Sequence, residues 1–327
     1  MTDSIRSILC AAIAAATLAD TARAQLTSEQ KSEVVARTLT ELDRGYVFPD
    51  IARAMRDAIM KHERDGKYQP VSDPRAFAVA LTTDLQAVSK DGHLRVIYSK
   101  AAAPPGNNQT TQPRPPTLEK IETLDGNVGY IKLNGFPPKS AIAPFLDSAM
   151  KTLARTDALL IDLRDNGGGS PEGAMYLAGF FFDKRTLIAH IFSRPDSSTT
   201  EMWTESVSGP LYSGKHVYVL TARRTYSAAE AAAYHLKHFG KARIVGDTTG
   251  GGAHRISVAD VGHDFRMSVP MTRPINVITK GDWEGTGVIP DIPVAAEQAV
   301  VAAQLAALRA LPVTPDRQAV IARLDRR

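Results

Sequence analysis

The stretch "DALLIDLRDNGGGSPEG", Asp157 to Gly173, decides the fold. Its apolar run is continuous rather than alternating, which predicts a strand buried on both faces of a parallel sheet. The run meets a glycine triplet and then the helix-like "AMYLAGFFF". The same grammar recurs on either side. "NVGYIKL" (127–133), "HVYVL" (216–220) and "ARIVG" (242–246) read as further strands, the last followed by "DTTGGGAH". "HDFRMSVP" (263–270) and "INVIT" (275–279) suggest a hairpin. The alanine-rich stretch Ala295–Leu311 reads as a helix. Strands alternating with helices predict an α/β fold with a largely parallel, covered sheet.

Upstream the period changes to that of helices. Val35, Leu39, Leu42 and Tyr46 form one stripe, and Ile51, Met55 and Ile59 a second. Phe77, Leu81, Leu85 and Val88 form a third, with Asp73 as cap and Pro74 in the first turn. Three amphipathic helices on short turns read as a small bundle that ends at "DGHLRVIYS" (91–99), where strand chemistry begins. The next stretch, "KAAAPPGNNQTTQPRPP" (100–116), has no periodicity and reads as a linker too short for a folded domain.

The chain of 327 residues opens with "MTDSIRSILCAAIAAATLADTARAQ". Arg6, a short apolar run from Ile8 to Ala19, and Ala22-Arg23-Ala24 are the pattern of a secretory signal peptide over residues 1–24, with cleavage after Ala24. The run is too short to span a bilayer, so stable membrane insertion after cleavage is not expected. Cys10 is the only cysteine. After cleavage, disulfides, thiolate metal sites and a cysteine nucleophile are excluded. The formal charge is +4, and no basic cluster interleaves with aromatics, so nucleic-acid binding is not expected.

In such sheets chemistry gathers where loops leave the carboxyl ends of strands. Three loops qualify: Arg164–Gly173, Arg223–Ser227 and Asp247–His254. Two carry glycine triplets, Gly167–Gly169 and Gly250–Gly252, which let backbone N–H groups approach a ligand. Neither matches a dinucleotide fingerprint or a P-loop. Between them lies "TARRTYSAAEAAAYHLKHFG" (221–240). Ser227 and Glu230 fit a helix capping box. The same helix start suits a serine nucleophile, because its N–H dipoles favour negative charge.

A serine nucleophile needs a base. His235 and His238 sit near the far end of the same helix, roughly 12 Å or more away at 1.5 Å per residue, and read as favourable charges at a helix C-terminus. His62, His190, His216 and His263 have ordinary surface, strand-edge or turn settings. His93 lies where the helical region turns into a strand, and His254 ends a glycine loop; these two are the candidate bases. Glu284, in "GDWEGTGVIPDIPV" beside Trp283, is the candidate acidic partner.

Taken in order, "LLIDLRDNGGG", "TARRTYSAAE", "IVGDTTGGGAH" and "WEGTGVIPDI" resemble the tail-specific protease family of serine peptidases, peptidase family S41. The sequence is most similar to the branch with retinoid-binding-protein modules, and the linker leaves no room for an embedded PDZ domain. The resemblance implies a ClpP/crotonase-like α/β core with an N-terminal helical bundle. It implies domains at 25–100 (helical), 101–117 (linker), 118–312 (catalytic) and 313–327 (helical tail). It also implies endopeptidase chemistry on polypeptide substrates, with Ser227 as nucleophile. In the carboxy-terminal processing branch a lysine follows that serine by about 25 residues. Gly252 stands at the matching place here, which removes a serine–lysine dyad. Tricorn-like members use histidine and glutamate, and the matching residues are His93 and Glu284. The oxyanion hole would take N–H groups from Ala228 and from Gly168 or Gly169. No cofactor and no metal are implied, export to the periplasm or beyond is expected, and nothing in the sequence specifies an oligomeric state. A catalytically idle protein binding hydrophobic ligands on the same fold is the alternative. On this reading the Ser-x-x-Glu spacing is incidental, and Glu230 merely supports the helix start.

Overall fold

The computed structural model describes residues 25–99 and 118–326. The expected signal peptide and the expected linker therefore lie outside the described residues. In chain order the strands are β1 (Arg95–Tyr98), β2 (Leu118–Leu124), β3 (Val128–Leu133), β4 (Ala158–Asp162), β5 (Leu187–Ser193), β6 (Thr199–Trp203), β7 (His216–Thr221), β8 (Arg243–Gly246), β9 (Arg255–Gly262), β10 (Phe265–Asn276) and β11 (Ile292–Pro293). The helices are α1 (Ser28–Gly45), α2 (Pro49–Arg64), α3 (Pro74–Ser89), α4 (Lys139–Leu153), α5 (Pro171–Gly179), α6 (Ala228–His238), α7 (Ala299–Ala310) and α8 (Pro315–Leu324).

The opening stretch forms the centre of a six-stranded sheet of order β11-β8-β7-β4-β3-β2. Strands β3, β4, β7, β8 and β11 run parallel, and only β2 is antiparallel. Every residue of β4 is buried, and the strand's two-residue period divides it between two cores. Leu159 and Ile161 face α4, α5 and α6, together with Val217, Val219 and Ile244. Ala158 and Leu160 face α7 and α8, together with Tyr218, Leu220 and Val245. The result is a helix–sheet–helix sandwich, as the continuous apolar runs require.

A second, antiparallel sheet follows the path β1-β10-β5-β6, with β9 also on β10. Most of the three N-terminal stripes goes inside: Val35, Leu39, Leu42, Tyr46, Met55, Ile59, Phe77, Leu81 and Leu85 are buried, while Ile51 and Val88 are partly buried. They do not close a core alone. Val261, Phe265, Met267, Val269 and Met271 from β9 and β10 complete it.

The expected hairpin between 263–270 and 275–279 is not formed. Residues 265–276 are one strand, β10, which pairs β1, β5 and β9 along its length. The hairpin lies one element earlier, between β9 and β10. Its turn residues His263 and Asp264 both have positive φ (50° and 64°), as a type I′ turn matching strand twist demands. Pro270 and Pro274 suggest a break in the sequence, but Pro270 sits at a register shift against β9 that absorbs its missing donor.

Candidate active site

Ser227 sits in the turn between β7 and α6 with φ 54° and ψ −119°. A non-glycine residue there stores strain of about 1–3 kcal/mol, which the surroundings must hold in place. Three contacts do so. Thr225 Oγ1 donates to the Leu163 carbonyl (2.8 Å), the Tyr226 N–H donates to the Asn166 carbonyl (3.1 Å), and the Gly250 N–H donates to the Thr225 carbonyl (3.0 Å). The serine turn is thus bolted to the loops after β4 and β8.

Glu230 fastens the turn further. It is fully buried. Its Oε2 accepts from the N–H groups of Ser227 (2.8 Å) and Gly252 (2.8 Å). Its Oε1 accepts from the Gly251 N–H (2.7 Å) and from Thr249 Oγ1. Burial pushes its carboxyl pKa up, while these donors pull against the shift. The Ser-x-x-Glu spacing is therefore not incidental: Glu230 ties the serine turn to the second glycine loop.

The loop after β4 meets the serine turn at Gly168. A side-chain carbon placed there would lie 2.8 Å from Ser227 Cβ and 3.0 Å from the Ala228 nitrogen. Gly168 has φ +99°, so both space and conformation demand glycine. Its N–H is not free, because it donates to Asn166 Oδ1 (2.9 Å). Among the described residues neither the Ala228 nor the Gly169 N–H has a hydrogen-bond partner. Of the expected oxyanion donors, Ala228 and Gly169 are available and Gly168 is committed.

His93 and His254 both reach the acidic cluster, in different ways. His254 is walled in, with 1% of its side chain exposed. Its Nδ1 bonds Asp91 Oδ2 (2.8 Å) and lies 3.4 Å from Glu284 Oε2. Its ring meets Phe48 edge-on, with centroids 5.5 Å apart. Burial alone would lower its pKa, but the bond to Asp91 and the charges of Glu284, Asp91 and Asp282 raise it. Burial likewise works to raise the Asp91 pKa, and is outweighed by the bond and charge of His254 and by the His93 N–H, so it is held low. The pair is a buried ion pair.

His93 is 13% exposed and lies against Tyr226, the neighbour of Ser227, with ring centroids 4.9 Å apart. Its own N–H donates to Asp91 Oδ1 (2.9 Å). Its Nδ1 is buried and unbonded, 3.8 Å from Glu284 Oε2 and 3.9 Å from Asp91 Oδ1. Glu284 is positioned by the N–H groups of Ala253 (2.6 Å) and His254 (3.0 Å), while its Oε1 is buried without a partner. The Trp283 indole N–H donates to the Gly252 carbonyl (3.1 Å) and closes this side. Asp91, His93 and Glu284 bring possible ligand atoms within 4.8 Å of one another. Asp91 Oδ2 is already spent on His254 and Glu284 Oε2 on two N–H groups, so the cluster suits a histidine with acidic partners better than a cation.

Gly252, at the lysine position of the carboxy-terminal processing branch, has no room for any side chain. An added carbon would stand 2.2 Å from Tyr226 Cζ and 2.6 Å from His93 Cε1. His235, expected as a charge at the end of α6, is instead fully buried, bonded to Asn276 (2.9 Å) and held neutral by burial, with its pKa lowered to about 3. Asp91, Tyr226 and the second role of Glu230 were not anticipated. Asp91 had a local signal, an acid two residues before a loop histidine; Tyr226 had none.

The α/β core thus brings together a strained serine at a helix start, free N–H groups beside it and a histidine–carboxylate cluster on adjoining loops. Residues 127–294 match peptidase family S41, and residues 15–127 match the N-terminal domain of Peptidase_S41 in eukaryotic IRBP. The chain belongs to peptidase family S41. It is 31% identical over 169 residues to the chloroplastic carboxyl-terminal-processing peptidase 2 of Arabidopsis thaliana, covering 51% of this chain and 32% of that one. It is 29% identical over 179 residues to a carboxyl-terminal-processing protease of Picosynechococcus sp., covering 54% and 41%. The chain thus spans well under half the length of these relatives. Among solved structures, the photosystem II D1 C-terminal processing protease shares the fold with a TM-score of 0.55 at 17% identity, over 89% of this chain and 99% of that one.

Proposed function

We propose that the protein is a serine endopeptidase using Ser227, His93 and Glu284. Ser227 Oγ attacks the peptide carbonyl and His93 takes its proton. The carbonyl oxygen becomes an oxyanion between the N–H groups of Ala228 and Gly169. Collapse expels the amine, which leaves with the proton held by His93, and water then releases the acyl group by the same route in reverse. The imidazolium formed on the way is stabilised by Glu284 and Asp91, whose separation from Nδ1 closes as charge develops. Each oxyanion donor contributes roughly 3 kcal/mol in comparable sites. The backbone of Ser227 carries the reading: strain is kept at a helix start where two N–H groups stand unused.

His93 is favoured over His254 because His254 is sealed and already paired to Asp91. A fluorophosphonate probe tests the assignment. Wild type should label and should cleave an unfolded protein. Ser227→Ala should do neither, and His93→Ala should lose at least about 10³-fold in rate. A wild type that neither labels nor cleaves, yet binds a retinoid or fatty acid, would place the protein in the binding class. Labelling lost in a folded His254→Gln variant but kept in His93→Ala would reassign the base. The signal-peptide pattern supports export as part of this reading, and a mature N-terminus at Gln25 is the expected result of sequencing.

A further inference from the structure

The amino ends of β7 and β8 and the carboxyl end of α6 border an open pocket of about 660 Å³. It lies at the end of the sheet opposite Ser227, and the 11-residue α6 separates the two by roughly 16 Å at 1.5 Å per residue. Lys215, Lys237, Lys241 and Arg243 line it against a single carboxylate, Asp291. Four cations facing one acid leave a formal surplus of three positive charges.

Asp291 is fully occupied. Its Oδ1 lies 2.9 Å from Lys237 Nζ, and its Oδ2 accepts from the Ile244 N–H (2.8 Å). Lys215 rests on the carbonyls of Ala154 and Thr156. Lys241 stands over the Phe182 ring at 5.2 Å. Neither Lys241 nor Arg243 has a carboxylate partner among the described residues. A helix C-terminus accounts for basic residues within its last turn, such as Lys237, but not for Lys215 before β7 or Arg243 on β8. Burial, together with the Lys237 charge, holds His238 below its ordinary pKa.

We propose that this pocket binds a compact phosphate-bearing anion. Its volume suits a small ligand, and ammonium groups beside a guanidinium are donors that phosphate oxygens use. The site is independent of the serine chemistry and is tested without it. Sodium tripolyphosphate, titrated calorimetrically into the full chain at constant ionic strength, should bind saturably. By NMR it should raise the titration midpoint of His238. Lys241→Glu/Arg243→Glu should weaken binding about tenfold or more, whereas Arg64→Glu on α2 should not change it. If the double reversal fails to fold, Lys241→Gln/Arg243→Gln serves in its place. Sedimentation with phosphatidylglycerol vesicles, lost in the same variants, would identify the anion as a lipid headgroup; tripolyphosphate binding without sedimentation would identify a free anion. Absence of both, or binding that survives the pocket variants, overturns the proposal.

Discussion

At the residue scale the site turns on how Glu230 spends its oxygens. Three backbone N–H groups and one hydroxyl converge on it, from the serine turn and from the loop after β8. Removing the carboxylate orphans donors that water cannot easily reach, and each orphan costs about 1–3 kcal/mol. Glu230→Ala should therefore lower unfolding free energy by at least about 3 kcal/mol in urea titrations. Glu230→Gln should also destabilise, because its amide nitrogen would face donors. A near-neutral Glu230→Gln would mean that the four contacts are not all made. Gly252 gives a second test at this scale. An added methyl must displace the Tyr226 ring from against His93. Gly252→Ala should cut probe labelling about 100-fold or more, since an ångström of misplacement costs that much. Gly252→Lys should not restore a serine–lysine dyad.

At the element scale, Asp91 and His254 join the turn after α3 to the start of β9. Breaking such a buried pair by removing one charge costs about 3–5 kcal/mol. Its pH dependence follows from the two shifts. Asp91, held below its ordinary 3.8, contributes stability that is present above that value and lost as pH falls through its lower folded pKa. His254, held above 6.5, contributes stability that is fully present below 6.5 and lost as pH rises through its higher folded pKa. The gap in urea midpoint between wild type and Asp91→Asn should be widest from about pH 4 to about pH 6.5 and narrow on either side. A gap that grows steadily into alkaline pH would contradict the ion pair. Elements of this kind were only partly legible in sequence. β3, β4, β7 and β8 announce themselves because both faces are buried along most of their length and their central residues form continuous apolar runs. β10 does not, because its two prolines read as a break and only pairing to three partners keeps it whole. Ser227, His93 and Glu284 are proposed on the strength of ordered motifs. Asp91 has a local hint beside His93, but its bond to His254 and the packing of Tyr226 on His93 are contacts across more than a hundred residues, which no local pattern encodes.

For the whole molecule, the candidate nucleophile and base stand on different cores. Ser227 rises from the parallel sheet, whose two faces are packed by α4–α6 and by α7 and α8. His93 follows α3, and the core beneath it is built by α1–α3 with β9 and β10. Phe265 is the centre of that second core, edge-on to Phe77 (5.7 Å) and tilted against Tyr98 (5.0 Å). Truncating a buried phenylalanine costs about 3–5 kcal/mol. With a urea dependence near 2–3 kcal/mol per molar, Phe265→Ala should move the loss of fluorophosphonate labelling about 1–2 M lower. The strained serine is held by the parallel sheet alone, so its secondary structure should persist beyond that point. Far-UV circular dichroism and labelling should then separate in Phe265→Ala, while Leu160→Ala, in the sheet, should move both together. Labelling in Phe265→Ala that follows the wild-type curve would show that the base does not depend on the second core, and would count against His93 as its carrier.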